Sequence, residues 1–154
     1  MPLAPEPRLA PLTSHEKVRP LGKFFCLNSE KCFLKGVTYG PFALSRTCVP
    51  FPEAPTVELD FALMSELGVN SFRTFTPAPK WLLDRAASYG LRVITGIPWA
   101  QHISFLDSSR TRAEIRNTIV QSVRASRGHP AALAHLVGNE IPPEIVRWYF
   151  SAIS

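Results

Sequence analysis

A chain of 154 residues, 45% hydrophobic and 19% charged, carries enough apolar material to bury a core and too much to stay disordered. Its net charge of +5 is spread over arginines on expected helix faces (Arg110, Arg112, Arg116, Arg124, Arg127), with no basic stripe among aromatics, which argues against nucleic-acid binding. No run approaches the roughly 20 apolar residues of a membrane span, and "MPLAPEPRLAPLTSHEKVRP" lacks a signal's apolar segment, so the cytoplasm is the expected compartment.

Residues 1–20 read as a proline-rich, polar arm without periodicity, expected to be disordered; the ordered domain is expected over 21–154. "KFFCLNSEKCFLKGVTYG" places two short apolar runs around Asn28-Ser29-Glu30-Lys31, a hairpin signal that feeds a strand from Phe33 to Tyr39. Cys26 and Cys32 could face each other across that hairpin, but reduced, half-buried thiols are the expectation. With Cys48 they form no metal-ligand spacing, and no cofactor is implied. A long loop, "PFALSRTCVPFPEAP", follows.

After Pro55 the pattern turns helical. Leu59, Leu63 and Leu67 recur at i, i+4, i+8, with Val57, Phe61 and Met64 widening the apolar face. Glu58 and Asp60 are read into the first turn, and Gly68 supplies the stop. "VNSFRTF" (69–75) is a strand, Pro79 opens a helix closed by Gly90, and "LRVITGI" (91–97) is a further strand. Thr111 to Arg127 forms the next helix, carrying Ile115, Ile119 and Val123 and preceded by Asp107 as its cap. "AALAHLVG" (131–138) is the last strand, and Pro142-Pro143 starts another helix.

Alternation of strand and helix implies parallel strands joined by crossovers. A doubly wound sheet calls for a glycine-rich phosphate turn after an early strand, and "GVTYGPF" has no such spacing. An (β/α)8 TIM barrel calls for polar and aromatic residues just after the strand ends. Those are present: Tyr39, Arg73, Trp99, His102, and Asn139-Glu140. The expected fold is therefore α/β, a partial TIM barrel of about four βα units preceded by a β-hairpin. Tyr39 is either a wall aromatic or a hydroxyl donor. Trp99 either plugs the barrel top or stacks on a pyranose ring, and His102 is a loop histidine or a site lining. Arg73, charged at a parallel strand's end, could hold a carboxylate ionised. Glu140 stands out, since carboxylates avoid strand-end interiors unless paired or used.

"FFCLNSEKCFLKGVTYGPF", "LMSELGVNSFRTFT", "LLDRAASYGLRVITGIPW" and "HPAALAHLVGNEIP" together resemble the first half of a clan A glycoside hydrolase barrel. The nearest likeness is to the family 2 catalytic domain, and the opening strands also look like those of fungal-type β-1,3-glucanosyltransferases. The resemblance spans roughly residues 21–150. It implies that Glu140 is the general acid/base of a retaining β-glycosidase or transglycosidase, and that Asn139 holds the sugar 2-hydroxyl. By the same resemblance, Arg73 supports the catalytic carboxylates, Trp99 and His102 line the sugar subsite, and the partner is a β-glycoside or β-glucan.

Such a mechanism needs a second carboxylate about 5 Å from the first, and the chain is about half of the ~250 residues of a whole barrel. Glu144 reads as a dipole partner of the last helix and Asp107 as a cap, so neither substitutes. The chain is accordingly expected to be a truncated product, inactive alone. The competing expectation is a non-catalytic carbohydrate-binding fragment, or a half barrel that closes as a homodimer.

Overall fold

The computed structural model describes residues 9–13, 18–43 and 50–151. Three antiparallel strands come first: β1 (Val18–Leu21), β2 (Phe24–Leu27) and β3 (Glu30–Cys32), in that order across a small sheet. The β2–β3 turn uses Asn28 at φ 49° and Ser29 at φ 72°. Positive φ at both central residues is what a two-residue hairpin loop needs to match strand twist. The register sets Cys32 opposite Phe25 and Cys26 opposite Lys31. One residue of offset puts the two thiols on opposite faces, so the cross-hairpin pairing fails and both cysteines are free; Cys26 is buried, and Cys48 lies outside the described residues.

Part of the expected disordered arm is ordered. Val18 to Pro20 pair within β1, and residues 9–12 lie against the domain: the Leu9 N–H donates to Ser65 Oγ at 3.1 Å and the Leu12 N–H to the Ala87 carbonyl at 2.8 Å. Leu9 and Leu12 supply the reason, since both pack on the buried apolar cluster.

The second sheet holds β4 (Gly36–Thr38), β5 (Ser71–Thr74), β6 (Arg92–Gly96) and β7 (Ala132–Leu136), all parallel. Between and after them run α1 (Ala54–Glu66), α2 (Lys80–Ser88), α3 (Ser109–Ser126) and α4 (Pro143–Ser151). Strand order in space equals order in the chain, without the reversal that makes a doubly wound switch point. Asn70, just before β5, pins the segment that links the two sheets: its Nδ2 donates to the Phe33 carbonyl and its Oδ1 accepts from the Lys35 N–H, each at 2.8 Å.

The core lies between the parallel sheet and its helices. Phe72 and Val93 of the sheet meet Val57 and Phe61 of α1 and Leu82, Leu83 and Ala86 of α2, all buried. This reverses one expectation: Leu59, Leu63 and Leu67 are 51%, 54% and 72% exposed. The i, i+4, i+8 stripe is real but points away, because α1 also carries an apolar set at Val57, Phe61 and Ala62, and that set meets the sheet. Glu58 and Asp60 also lie beyond the first turn, which begins at Ala54 and holds no acid. Glu58 instead pairs with Arg85 of α2 at 3.1 Å, and Asp60 binds Tyr39. Ser108, not Asp107, caps α3, accepting from the Thr111 N–H at 3.2 Å. No helix among the described residues is long and apolar enough to cross a membrane.

Candidate functional site

Paired residues of a parallel sheet share a face, so the register sorts the strand ends. Phe72 pairs with Val93 and faces the helices; Arg73 pairs with Ile94 and lies on the other face, as do Gly96 and Leu136. Arg73 therefore leaves the core at the C-terminal end of β5. Its Nη2 donates to the Asn139 side-chain oxygen, and its guanidinium carbon lies 4.8 Å from the Phe75 ring centre. Its Nε is buried and has no partner among the described residues.

From the β7 side, the Asn139 backbone N–H donates to Gln101 Oε1, and the Val137 carbonyl accepts from Trp99 Nε1 at 2.7 Å. Three strand ends are thus cross-linked: β5 through Arg73, the β6–α3 loop through Trp99 and Gln101, and the β7–α4 loop through Val137 and Asn139. They enclose a cleft of about 200 Å³ whose side-chain walls include Arg73, Phe75, Trp99, Gln101, His102 and Asn139. Gly96 forms part of its lining because β5 and β6 approach so closely there; a Cβ would sit 2.6 Å from the Thr74 carbonyl oxygen and 2.7 Å from that of Phe75. Among the described residues, no Asp or Glu contributes to the lining. Behind Trp99, a second, almost wholly apolar groove of about 290 Å³ runs along α3 past Phe105, Ile115 and Ile119.

Four of the six residues singled out from the sequence, Arg73, Trp99, His102 and Asn139, meet in the cleft. Tyr39 does not. Two positions after Val37, which pairs with Phe72, it falls on the helix face; its ring packs on Phe61 and Phe72 with centroids 5.6 Å away in each case. Its hydroxyl donates to Asp60 Oδ2 at 2.7 Å, and burial, reinforced by that carboxylate, pushes its pKa well above the ordinary tyrosine value. Glu140 is exposed and outside the lining, at a left-handed φ of 54° directly after Asn139. Gln101 was missed by the sequence reading. The signal available was its place between Trp99 and His102 in a loop already marked as a wall, but nothing in the sequence says which polar loop residue turns inward.

Elsewhere, His135 on the helix face bonds Ser126 Oγ of α3 at 2.8 Å, and burial lowers its pKa. His129 bonds Asp84 at 3.0 Å and accepts from the Ala131 N–H, holding α2 to the turn before β7. Among the described residues, no group of three or more His, Cys, Asp or Glu side chains is placed to hold a metal ion.

The architecture has solved counterparts. A β-D-glucuronidase from Dictyoglomus thermophilum superposes with a TM-score of 0.66 at 22% identity, over 90% of this chain and 26% of that one. The fold resembles a segment of a β-glucuronidase. The enzyme from an uncultured Clostridium sp. gives a TM-score of 0.65 at 19% identity, over 90% of this chain and 25% of that one. For the Bifidobacterium dentium enzyme, whose structure is a complex with coumarin-3-O-glucuronide, the values are 0.66 and 20%, over 90% and 23%. The chain thus spans about a quarter of the length of the structures it matches. No family model and no curated protein matches its sequence.

Chemically, the cleft offers a fixed cation, a carboxamide that both donates and accepts, an imidazole and an indole. That is a set suited to a ligand dense in hydroxyls with at least one apolar ring face.

Proposed function

We propose that this chain is the saccharide-gripping part of a glycoside hydrolase-like catalytic barrel, related to family 2, acting on β-glycosides by retention or transglycosylation. The observation that carries the reading is the Arg73–Asn139–Gln101 chain of hydrogen bonds across three strand ends beside Trp99. The sheet is a sector of an eight-stranded barrel: its order follows the chain, and polar residues collect at the C-terminal strand ends, where barrels keep their sites. Asn139 holds a ring hydroxyl, Arg73 orients Asn139, and Trp99 with His102 forms the wall. Glu140, on the rim beside Asn139, is the acid/base. Its left-handed backbone costs about 1 kcal/mol, and such strain is retained where a side chain must be aimed. The nucleophilic carboxylate, needed about 5 Å from the acid/base, comes from outside the 154 residues.

Two features favour completion by more polypeptide, whether continuous with this chain or a second copy. Among the described residues β4 and β7 each pair with a single strand, leaving open edges, and α1 exposes Leu59, Leu63 and Leu67. The second reading, a non-catalytic binding or self-associating half barrel, draws on the same edges.

Titration of the purified chain with methyl β-D-glucuronide and methyl β-D-glucoside, followed by amide chemical shifts, tests the grip. Saturable shifts at Arg73, Trp99 and Asn139, lost in Asn139→Ala, are expected; no response to either glycoside refutes the sugar site. Aryl β-glycoside turnover by the chain alone, abolished in Glu140→Gln, would refute its incompleteness. Sedimentation separates the two readings, with a Leu63→Glu-sensitive dimer favouring the second.

A further inference from the structure

Gln101 begins the first turn of the β6–α3 loop and is 7% exposed. A carboxamide's oxygen and nitrogen are easily interchanged, but here the partner removes the ambiguity. The Asn139 backbone N–H can only donate, so the branch that meets it is Oε1 and the Nε2 amide takes the opposite branch. Gly138 leaves space for Ile141, whose Cδ1 would lie 3.0 Å from a Cβ there, while Gln101 Oε1 at 3.9 Å would be in ordinary contact. The hydrogen bonds then act in series. Gln101 fixes the backbone of Asn139, and Asn139 so held turns its side-chain oxygen to Arg73.

We propose that Gln101 is the positioning residue of the cleft, setting Asn139 through its oxygen and donating through its nitrogen to a ring hydroxyl of the bound saccharide. The inference rests on the sugar-site reading and deepens it. A hydroxyl that gives its proton to Asn139 or to solvent still has lone pairs, and a neutral amide donor satisfies one without adding charge. Arg73 supplies the cation beside it, so the cleft combines a charged and a neutral donor at separate strand ends.

Two variants of the 154-residue chain separate the roles. Gln101→Leu keeps the volume and removes both oxygen and nitrogen; Gln101→Glu keeps an acceptor and removes the donor. In Gln101→Leu, hydrogen exchange at the Asn139 amide is expected to quicken more than tenfold and binding of methyl β-D-glucuronide and methyl β-D-glucoside to vanish. In Gln101→Glu, exchange is expected to stay within about twofold of wild type while glycoside affinity falls roughly tenfold, the loss of one hydrogen bond. An Asn139 amide as protected in Gln101→Leu as in wild type overturns the positioning role, and full affinity in Gln101→Glu overturns the donor role. Should Gln101→Leu fail to fold, Gln101→Glu decides alone: a protected amide with weakened binding supports the proposal, an exposed amide refutes it. A wild-type chain that binds neither glycoside sinks the sugar reading and the donor role together, while the Asn139 exchange rates still judge positioning.

Discussion

Replacing Tyr39 with phenylalanine removes one oxygen from a buried ring and leaves its contacts with Phe42, Phe61 and Phe72 in place. The oxygen donates to the Asp60 carboxylate at 2.7 Å, and Asp60 is half-buried. Hydrogen bonds to charged groups contribute about 1.5–3 kcal/mol; because water can still reach Asp60, the lower end, about 1.5 kcal/mol, applies. For a chain of this size that corresponds to a fall in Tm of roughly 3–6 °C, measurable by circular dichroism at pH 7. The pH dependence is a sharper check. Burial, then Asp60, raises the Tyr39 pKa in the folded state, so above the ordinary tyrosine value the unfolded chain loses this proton while the folded chain keeps it. The native state then binds more protons, and stability falls with rising pH by up to about 1.4 kcal/mol per unit. The contribution is complete below about pH 10 and is lost above it, so the Tm gap between wild type and Tyr39→Phe should narrow from pH 9 to pH 11. Glycoside binding should not change, because Tyr39 lies on the helix face. Equal Tm values at pH 7, a gap constant to pH 11, or weakened binding in the variant would each break this account.

Phe61→Ala, which empties a fully buried site, should cost about 3–5 kcal/mol in urea titrations, whereas Leu63→Glu on the exposed stripe of the same helix should stay within about 0.5 kcal/mol; comparable losses would contradict the observed orientation of α1. Burial lowers the His135 pKa, so the unfolded chain takes up more protons as pH drops; stability is complete above about pH 6.5 and declines below it. In His135→Gln the decline in urea midpoint between pH 7 and pH 5 should be shallower, and parallel declines would remove His135 as a cause. Glu140→Gly relieves the left-handed strain and should raise stability by up to about 1 kcal/mol, read as a higher urea midpoint; a lower midpoint would mean that the Glu140 side chain makes stabilising contacts that outweigh the strain.

From β4 onward the number and order of the elements were legible because glycines at 68, 90 and 128, all at positive φ, and prolines at helix starts punctuate the chain, whereas β1 was hidden in the proline-rich arm. The face of α1 was not. Leu59–Leu63–Leu67 and Val57–Phe61–Ala62 are both apolar sets, and only the sheet's position selects between them. Tyr39 failed for a related reason: one residue of strand register decides between the helix side and the cleft side, and the edge strand β4, three residues long, shows too little alternation to fix it. Arg73 and Asn139 do meet, as their places at and just after the ends of two strands of one parallel sheet lead one to expect. The disulfide option across the hairpin failed on turn geometry, which a sequence specifies only once the turn length is known.

Gly96 complicates any map of this site drawn by saturation mutagenesis. Even alanine there drives a methyl group into the carbonyl oxygens of Thr74 and Phe75 at the end of β5, so every substitution at 96 should score as severely as loss of Arg73 or Asn139. The cause is different in kind. A defect at 96 comes from prising two strands apart, and it should appear as a large loss of thermal stability, whereas Asn139→Ala removes one side-chain hydrogen bond to Arg73 and should move the melting curve far less. A functional screen alone would place an inert hydrogen atom among the ligand-binding groups; screening for abundance alongside it would separate the scaffold from the grip.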